Sequence, residues 1–262
     1  MLSKATIKFV RSLEQKKFRK AENAFIAEGF KSVNDLLAEG WRARLVLATP
    51  EWQPPVMTPR NGAPQIVSVT EEELRKASLL QHPQQVLAVF DMPEACSHDV
   101  IDGASQTDSI DATKQLVLCL DGVQDPGNLG TIIRTADWFG IRHIICSNGT
   151  ADAFNPKVVQ ATMGSIARVR IQYTDLITFI EKQPSGTPVY GTLLDGEDIY
   201  GSQLSHNGII IMGNEGNGIS NEVRKHITKK LLIPSFAQNS TTAESLNVSI
   251  ATAIILSEFQ RR

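Results

Sequence analysis

Cysteine is scarce in this chain: Cys96, Cys119 and Cys146 are its whole complement in 262 residues. Three scattered thiols without a Cys-x-x-Cys pair make neither a disulfide framework nor a zinc site, so they read as buried or incidental and no metal is expected. Long apolar runs are missing as well. Nothing approaches the roughly 18 consecutive apolar residues of a membrane span. The start Met1-Leu2-Ser3-Lys4 leads into a charged run rather than a signal core, and a cytoplasmic protein with no membrane attachment is the expectation. A surplus of positive charge is also absent. The formal charge of −2 ordinarily argues against nucleic acid, because phosphate binding uses Lys and Arg to displace condensed counterions. The distribution is uneven, however: residues 4 to 20 carry Lys4, Lys8, Arg11, Lys16, Lys17, Arg19 and Lys20 against Glu14. Such a run suits an RNA-facing surface and equally suits a solvated helix face.

A hydrophobic content of 42% supports more than one core, and the pattern divides accordingly. Ile7, Val10, Leu13 and Phe18 keep partial helical spacing, and Phe30, Val33, Leu36 and Leu37 form a stripe that stops at Gly40, a C′ glycine. Strands are predicted at 44–48, 66–69 and 86–90, with a short helix opened by a Thr70/Glu73 capping box. Residues 94–114 turn polar and read as a linker between a domain over 1–93 and one over 115–262. The second domain opens with Leu116-Val117-Leu118-Cys119-Leu120, an uninterrupted apolar run of the kind a strand covered on both faces requires. A helix over Leu129–Phe139 follows. Strands are expected near 143–146, 169–171, 189–192, 209–212 and 231–233, before a closing helix with Leu246, Ile250, Ala251 and Ile254, extended by Val248 and Ile255, on its apolar side. Strand and helix alternate, which predicts an α/β fold with an open, mostly parallel sheet and helices on both faces.

Three polar clusters stand at the edges of these apolar runs. The first is Asp121-Gly-Val-Gln-Asp-Pro-Gly-Asn128, a loop leaving the carboxyl end of a strand, where open sheets bind ligands; Gly127 and Asn128 also suit a plain turn and helix cap. The second, Gly213-Asn-Glu-Gly-Asn-Gly218, lacks the Lys-Ser/Thr of a phosphate loop, and Gly-x-Gly-x-x-Gly is absent, which disfavours ATP and NAD; a nucleotide-dependent oxidoreductase on a related open sheet is a third reading. Its Glu215 is suited to orienting neighbouring donors such as Arg134, and equally to a solvated turn. The third is Ser245-Leu-Asn-Val-Ser249, with Ser245 at an N-cap position and Asn247 in the first turn. Arg134 sits at the border of the buried stripe, where an ordinary surface arginine also fits.

The runs Asn128-Leu-Gly-Thr-Ile-Ile-Arg134-Thr-Ala-Asp, Gly213 to Gly218 and Ser245 to Ser249 together resemble the SpoU (TrmH-like) family of RNA 2′-O-ribose methyltransferases, of the SPOUT superfamily. The likeness is close over 115–259 and looser over 20–90, where Phe25–Gly29 and Gln84–Val89 resemble the ends of a small substrate-binding domain similar to a ribosomal-protein RNA-binding fold. The resemblance implies methyl transfer from S-adenosylmethionine to a ribose 2′-hydroxyl of structured RNA, ribosomal RNA before tRNA, with a C-terminal trefoil knot and a homodimer whose site lies near the subunit interface. A non-catalytic RNA-binding protein on the same fold is the alternative. It further implies catalytic roles for Arg134, Asn128, Glu215, Ser245 and Asn247. Cofactor contacts are implied from Thr192, Leu193, Met212, Gly213, Asn214 and Gly216, from Ile233 and Leu246 on the adenine, and again from Ser245 and Asn247. The stretch Gln238–Ala243 is longer than the family pattern.

Overall fold

The computed structural model describes residues 2–56, 64–93, 110–237 and 245–261. Its elements run α1 (Lys4–Ser12), α2 (Lys16–Glu22), β1 (Ala24–Glu28), α3 (Phe30–Ala38), β2 (Ala43–Ala48), β3 (Gln65–Ser68), α4 (Glu71–Ala77) and β4 (Val86–Asp91). There follow β5 (Leu116–Asp121), α5 (Pro126–Trp138), β6 (His143–Cys146), α6 (Pro156–Thr162), a single 3-10 turn (Ser165–Ala167), β7 (Arg170–Tyr173) and α7 (Leu176–Glu181). The chain continues through β8 (Val189–Asp198), β9 (Gly208–Gly213), α8 (Asn221–Arg224), β10 (Lys229–Leu232) and α9 (Val248–Arg261). Contacts divide them into two compact units: Met1–Ser97 with Asp152–Arg168, and His98–Ala151 with Val169–Arg262.

The first unit is built on a four-stranded sheet of order β1-β4-β2-β3, with β4 antiparallel to both neighbours and β2 parallel to β3. Its local signals read as predicted. Glu73 N donates to Thr70 Oγ1 at 3.2 Å while Thr70 N donates to Glu73 Oε2 at 3.0 Å, closing the capping box. At the end of α3, Trp41 N reaches Leu36 O and Gly40 N reaches Leu37 O, the two bonds of a Schellman motif. Two features differ from expectation. The segment Ala24–Glu28 is a fully buried strand, and the basic run is not all surface: Arg19 is 2% exposed and donates to Leu13 O, Glu14 O and, at 2.6 Å, Asp152. A charge run read by composition therefore hides one arginine whose work is internal.

The excursion Asp152–Arg168 belongs to this first unit although the chain leaves and re-enters the second to make it. Phe154 lies 4.7 Å from Phe25 between ring centres, Val158 and Val159 are buried, and Arg168 pairs with Asp35 at 3.0 Å.

The second unit carries six strands in the order β10-β8-β9-β5-β6-β7, all parallel. Both faces are covered. Val117, Cys119, Ile209 and Ile211 pack with Leu176 and Phe179 of α7 and Val223 of α8. Tyr190, in register with Ile210, meets Phe259 of α9 edge-on at 4.8 Å. Ile110 and Ala112, which composition assigns to the linker, lie in this core at 4% and 0% exposure. Cys119 and Cys146 are buried, and burial pushes the Cys119 thiol well above its ordinary range; Cys96 lies outside the described residues. The closing helix begins at Val248 and buries Val248, Thr252, Ile255, Leu256 and Phe259; of the expected apolar side Val248 and Ile255 are buried, while Leu246 and Ile250 are 51% and 53% exposed.

Candidate active site

Chain order and strand order part company at one place in the second unit. From β5 the chain moves outward through β6 to β7, whereas β9, hydrogen-bonded to β5 on the other side, leads outward to β10. Loops leaving the carboxyl ends of β5 and β9 thus diverge, and the crevice between diverging loops is where a parallel open sheet takes a ligand. The first two polar clusters are those two loops.

Asp125 caps α5, its Oδ1 accepting from Asn128 N at 2.7 Å. That releases the Asn128 side chain from the capping role the sequence left open to it. Its Nδ2 donates to Glu215 Oε1 at 3.0 Å, and its Oδ1 accepts from Asn247 Nδ2 at 2.9 Å. Glu215 in turn accepts from the backbone N–H of Gln124 at 3.3 Å and of Asp125 at 3.4 Å. Asn214 knits the same loops by donating to Gly122 O at 2.7 Å while its Oδ1 accepts from Gly216 N and Asn217 N. Three clusters distant in sequence therefore meet in one hydrogen-bonded line, Glu215–Asn128–Asn247.

Asn247, rather than Ser245, caps the last helix: its Oδ1 accepts from Ser249 N at 3.0 Å and from the Ser249 hydroxyl at 2.6 Å. The two ends of its amide are thereby assigned, oxygen to the helix and nitrogen to Asn128. Ser245 is exposed, and Leu246 beside it is 51% exposed. On the β8 side, Thr192 Oγ1 donates to Ile211 O at 3.2 Å and approaches Met212 Sδ at 3.6 Å. The pairing of β8 with β10 jumps between Lys230 and Leu231, whose partners are Gly191 and Glu197, so Thr192 and Leu193 fall in an excursion of β8. Ile233 is half-buried just past β10. Gly213 has no room for a side chain, since a Cβ there would collide with the backbone of Gly218 and Ile219.

Arg134 stands apart from this line. It is exposed on α5, six residues beyond Asn128, which places it about 9 Å further along the helix and about two-thirds of a turn round it. Glu215 is held by Asn128, Asn214 and backbone N–H groups, not by the arginine the sequence paired with it. Sequence reasoning gave no role of its own to Asp121, the first residue of its cluster, and passed over Ser147, yet both brace the same loops: Asp121 Oδ2 accepts from Ser220 N at 2.8 Å, and Ser147 Oγ from Gly122 N at 2.9 Å. Each stands at or just past a strand end, the one signal that marks them. Gln238–Ala243 lies outside the described residues. Among the described residues no group of His, Cys, Asp and Glu is placed to hold a metal ion, and no helix is long and apolar enough to cross a membrane.

These features define a candidate ligand site at the switch point of a parallel sheet, framed by amides, a carboxylate and glycines. Comparison with known proteins gives it a family. Residues 115–257 match the model of the SpoU rRNA Methylase family, and residues 4–88 match an MRM3-like substrate binding domain. The 23S rRNA (guanosine(2553)-2′-O)-methyltransferase RlmP of Bacillus subtilis is 32% identical over 252 residues, 95% of this chain and 94% of that protein. A putative RNA methyltransferase of the TrmH family from Porphyromonas gingivalis superposes with a TM-score of 0.81 at 41% identity, covering 100% of this chain and 99% of the other. An AdoMet-bound rRNA methyltransferase from Sinorhizobium meliloti does so with 0.83 at 31% identity, covering 100% and 96%. The chain belongs to the SpoU rRNA methylase family.

Proposed function

We propose that this protein moves the methyl group of S-adenosylmethionine to a ribose 2′-hydroxyl of ribosomal RNA, in the cytoplasm. The observation that carries the reading is the Glu215–Asn128–Asn247 line, which holds three loops in one geometry at the ligand-binding edge of the sheet. The residues suit the cofactor. Leu246 offers exposed apolar surface next to Asn247, Leu193 and Ile233 are partly buried, and Gly213, Asn214 and Gly216 make a loop without bulky side chains, as a flat adenine and a polar methionine tail require. When bound, that cofactor supplies an electrophilic sulfonium methyl, and an in-line attack forms the O–C bond as the C–S bond breaks.

The protein's contribution is orientation and charge. Glu215 and Asn128 fix the loop that receives the ribose, while the Ser245 hydroxyl and the second amide hydrogen of Asn247, the one not given to Asn128, hydrogen-bond the nucleotide or cofactor. Thr192 and Met212 border the methionine side. The Arg134 guanidinium stabilises charge developing on the 2′-oxygen, the proton itself passing to water or phosphate. Since Arg134 is not bonded to its own chain's cluster, the reading places it at a subunit interface of a homodimer. Trp138 on α5, 85% exposed, and Ile250 on the adjoining α9 give that interface apolar surface. A C-terminal trefoil knot is part of the same reading. Incubation of the purified chain with radiolabelled S-adenosylmethionine and ribosomal RNA, followed by digestion to nucleosides, should yield a labelled 2′-O-methylnucleoside; label absent from the ribose of every RNA offered would overturn the proposal.

A further inference from the structure

The first unit contains a cavity of about 640 Å³ that shares no residue with the crevice described above. Its construction begins at Gly29. There β1 turns into α3 with a φ of +88°, and a Cβ would lie 2.7 Å from Gln84 Oε1, so only glycine lets the Gln84 side chain lie across the turn. Phe30 follows, and its ring is 54% exposed although Val33, Leu36 and Leu37 of the same helix are buried. An aromatic left in water at the mouth of a cavity is a stacking platform.

The floor is polar. Thr49 N donates to Gln85 O at 2.9 Å, which fixes the end of β2 against the start of β4. Thr49 is 5% exposed, and its hydroxyl makes no hydrogen bond of acceptable geometry among the described residues. The nearby Thr49 side chain and Glu51's own backbone N–H hold the exposed Glu51 carboxyl below its ordinary range, so Glu51 is charged. Glu71 and Arg75 of α4 supply the facing wall.

Charge selects the ligand. Two carboxylates against one guanidinium make a poor receptor for a free phosphate, but a carboxylate accepts paired N–H bonds from a neutral heterocycle, and the amides of Gln84 and Gln85 both donate and accept. Unpaired RNA bases are recognised in this manner, stacked on an aromatic ring and bonded along their Watson–Crick edge. Guanine alone of the four bases carries an imino and an amino donor side by side on that edge. We propose that the cavity receives one unstacked guanine of the RNA, with Phe30 against its face, Glu51 accepting from N1–H and N2–H, and Arg75 facing a flanking phosphate. The inference rests on the RNA-methylating reading, which supplies the RNA.

The test uses the full chain and fluorescence anisotropy with labelled RNA hairpins that differ only in one bulged nucleotide. The wild type should prefer a bulged guanine, and Phe30→Ala should weaken that complex by about 5- to 150-fold. Glu51→Gln should abolish the preference for guanine while leaving binding to the other three hairpins unchanged. Affinity for S-adenosylmethionine, measured calorimetrically, should be the same in both variants, which separates recognition from misfolding. A wild type indifferent to the bulged base, Phe30→Ala binding as tightly as wild type, or guanosine monophosphate outcompeting the hairpin would each overturn the proposal. If the wild type methylates RNA and yet any of these holds, the cavity assignment fails alone; if it neither binds S-adenosylmethionine nor methylates, the functional reading fails first.

Discussion

Asn128 donates its side-chain amide to the Glu215 carboxylate at 3.0 Å across 87 residues of chain, and the other end of the same amide accepts from Asn247. One planar group thus spans the loops after β5 and β9 and the start of α9. Because Asp125 already caps α5, this amide is spent on the site alone.

Asn128→Ala should therefore release both partners at once without unfolding α5. Misplacement of a reacting group by an ångström costs about 100-fold, and a loss of that order in single-turnover methyl transfer, with an unchanged melting curve, is the expected result. Asn128→Asp should be at least as damaging, since it sets two carboxylates in contact.

Arg134 is exposed and outside the hydrogen-bonded line, so its removal should leave the cofactor crevice intact. Loss of one donor to developing negative charge lowers turnover by about 10²–10³-fold. Arg134→Ala should show this in methylation of total RNA while S-adenosylmethionine affinity stays within a few fold. Turnover equal to wild type would falsify the role assigned to it.

Gly213 ends β9 with its Cα against the backbone of Gly218 and Ile219, so a methyl group there has to displace main chain rather than a flexible side chain. Gly213→Ala should cost about 1–3 kcal/mol of stability, the range for overpacking a rigid site. Thermal unfolding together with calorimetric cofactor binding should show both falling.

Glu28 is buried at the end of β1, accepts from the Ser78 hydroxyl and from Leu79 N at 2.9 Å, and has its carboxyl raised above the ordinary 4.5, chiefly by desolvation. Between the ordinary value and the raised one the folded state holds the proton more tightly than the unfolded chain. Stability contributed by this group is thus present below about pH 4.5 and lost as pH rises through the raised value. Glu28→Gln cannot titrate, so its melting temperature should fall less than that of the wild type between pH 4.5 and neutrality. Parallel pH profiles would show that the buried carboxyl is not the group responsible.

Parts of this protein were legible without coordinates because their causes are local. The Thr70/Glu73 capping box, the stop at Gly40 and the unbroken Leu116–Leu120 run each depend on neighbours within a few residues. Even the three polar clusters were identifiable, since each stands where an apolar run ends. Errors came where a distant segment decided the matter. Arg19 reads as one more surface cation, yet Asp152 and two backbone carbonyls enclose it; Ile250 reads as core by spacing, yet the sheet approaches α9 from the side of Val248 and Phe259.

What the sequence determined by itself was the alternation of strand and helix, and the set of polar residues available at strand ends, because hydrophobic period and turn chemistry are short-range. Tertiary structure alone decided that Asn128 bonds rather than caps, that Asn247 rather than Ser245 starts the last helix, and that Arg134 stands outside the line it was paired with. A side-chain amide has several partners within reach in any local model, and only the folding of three remote loops onto one sheet edge selects among them.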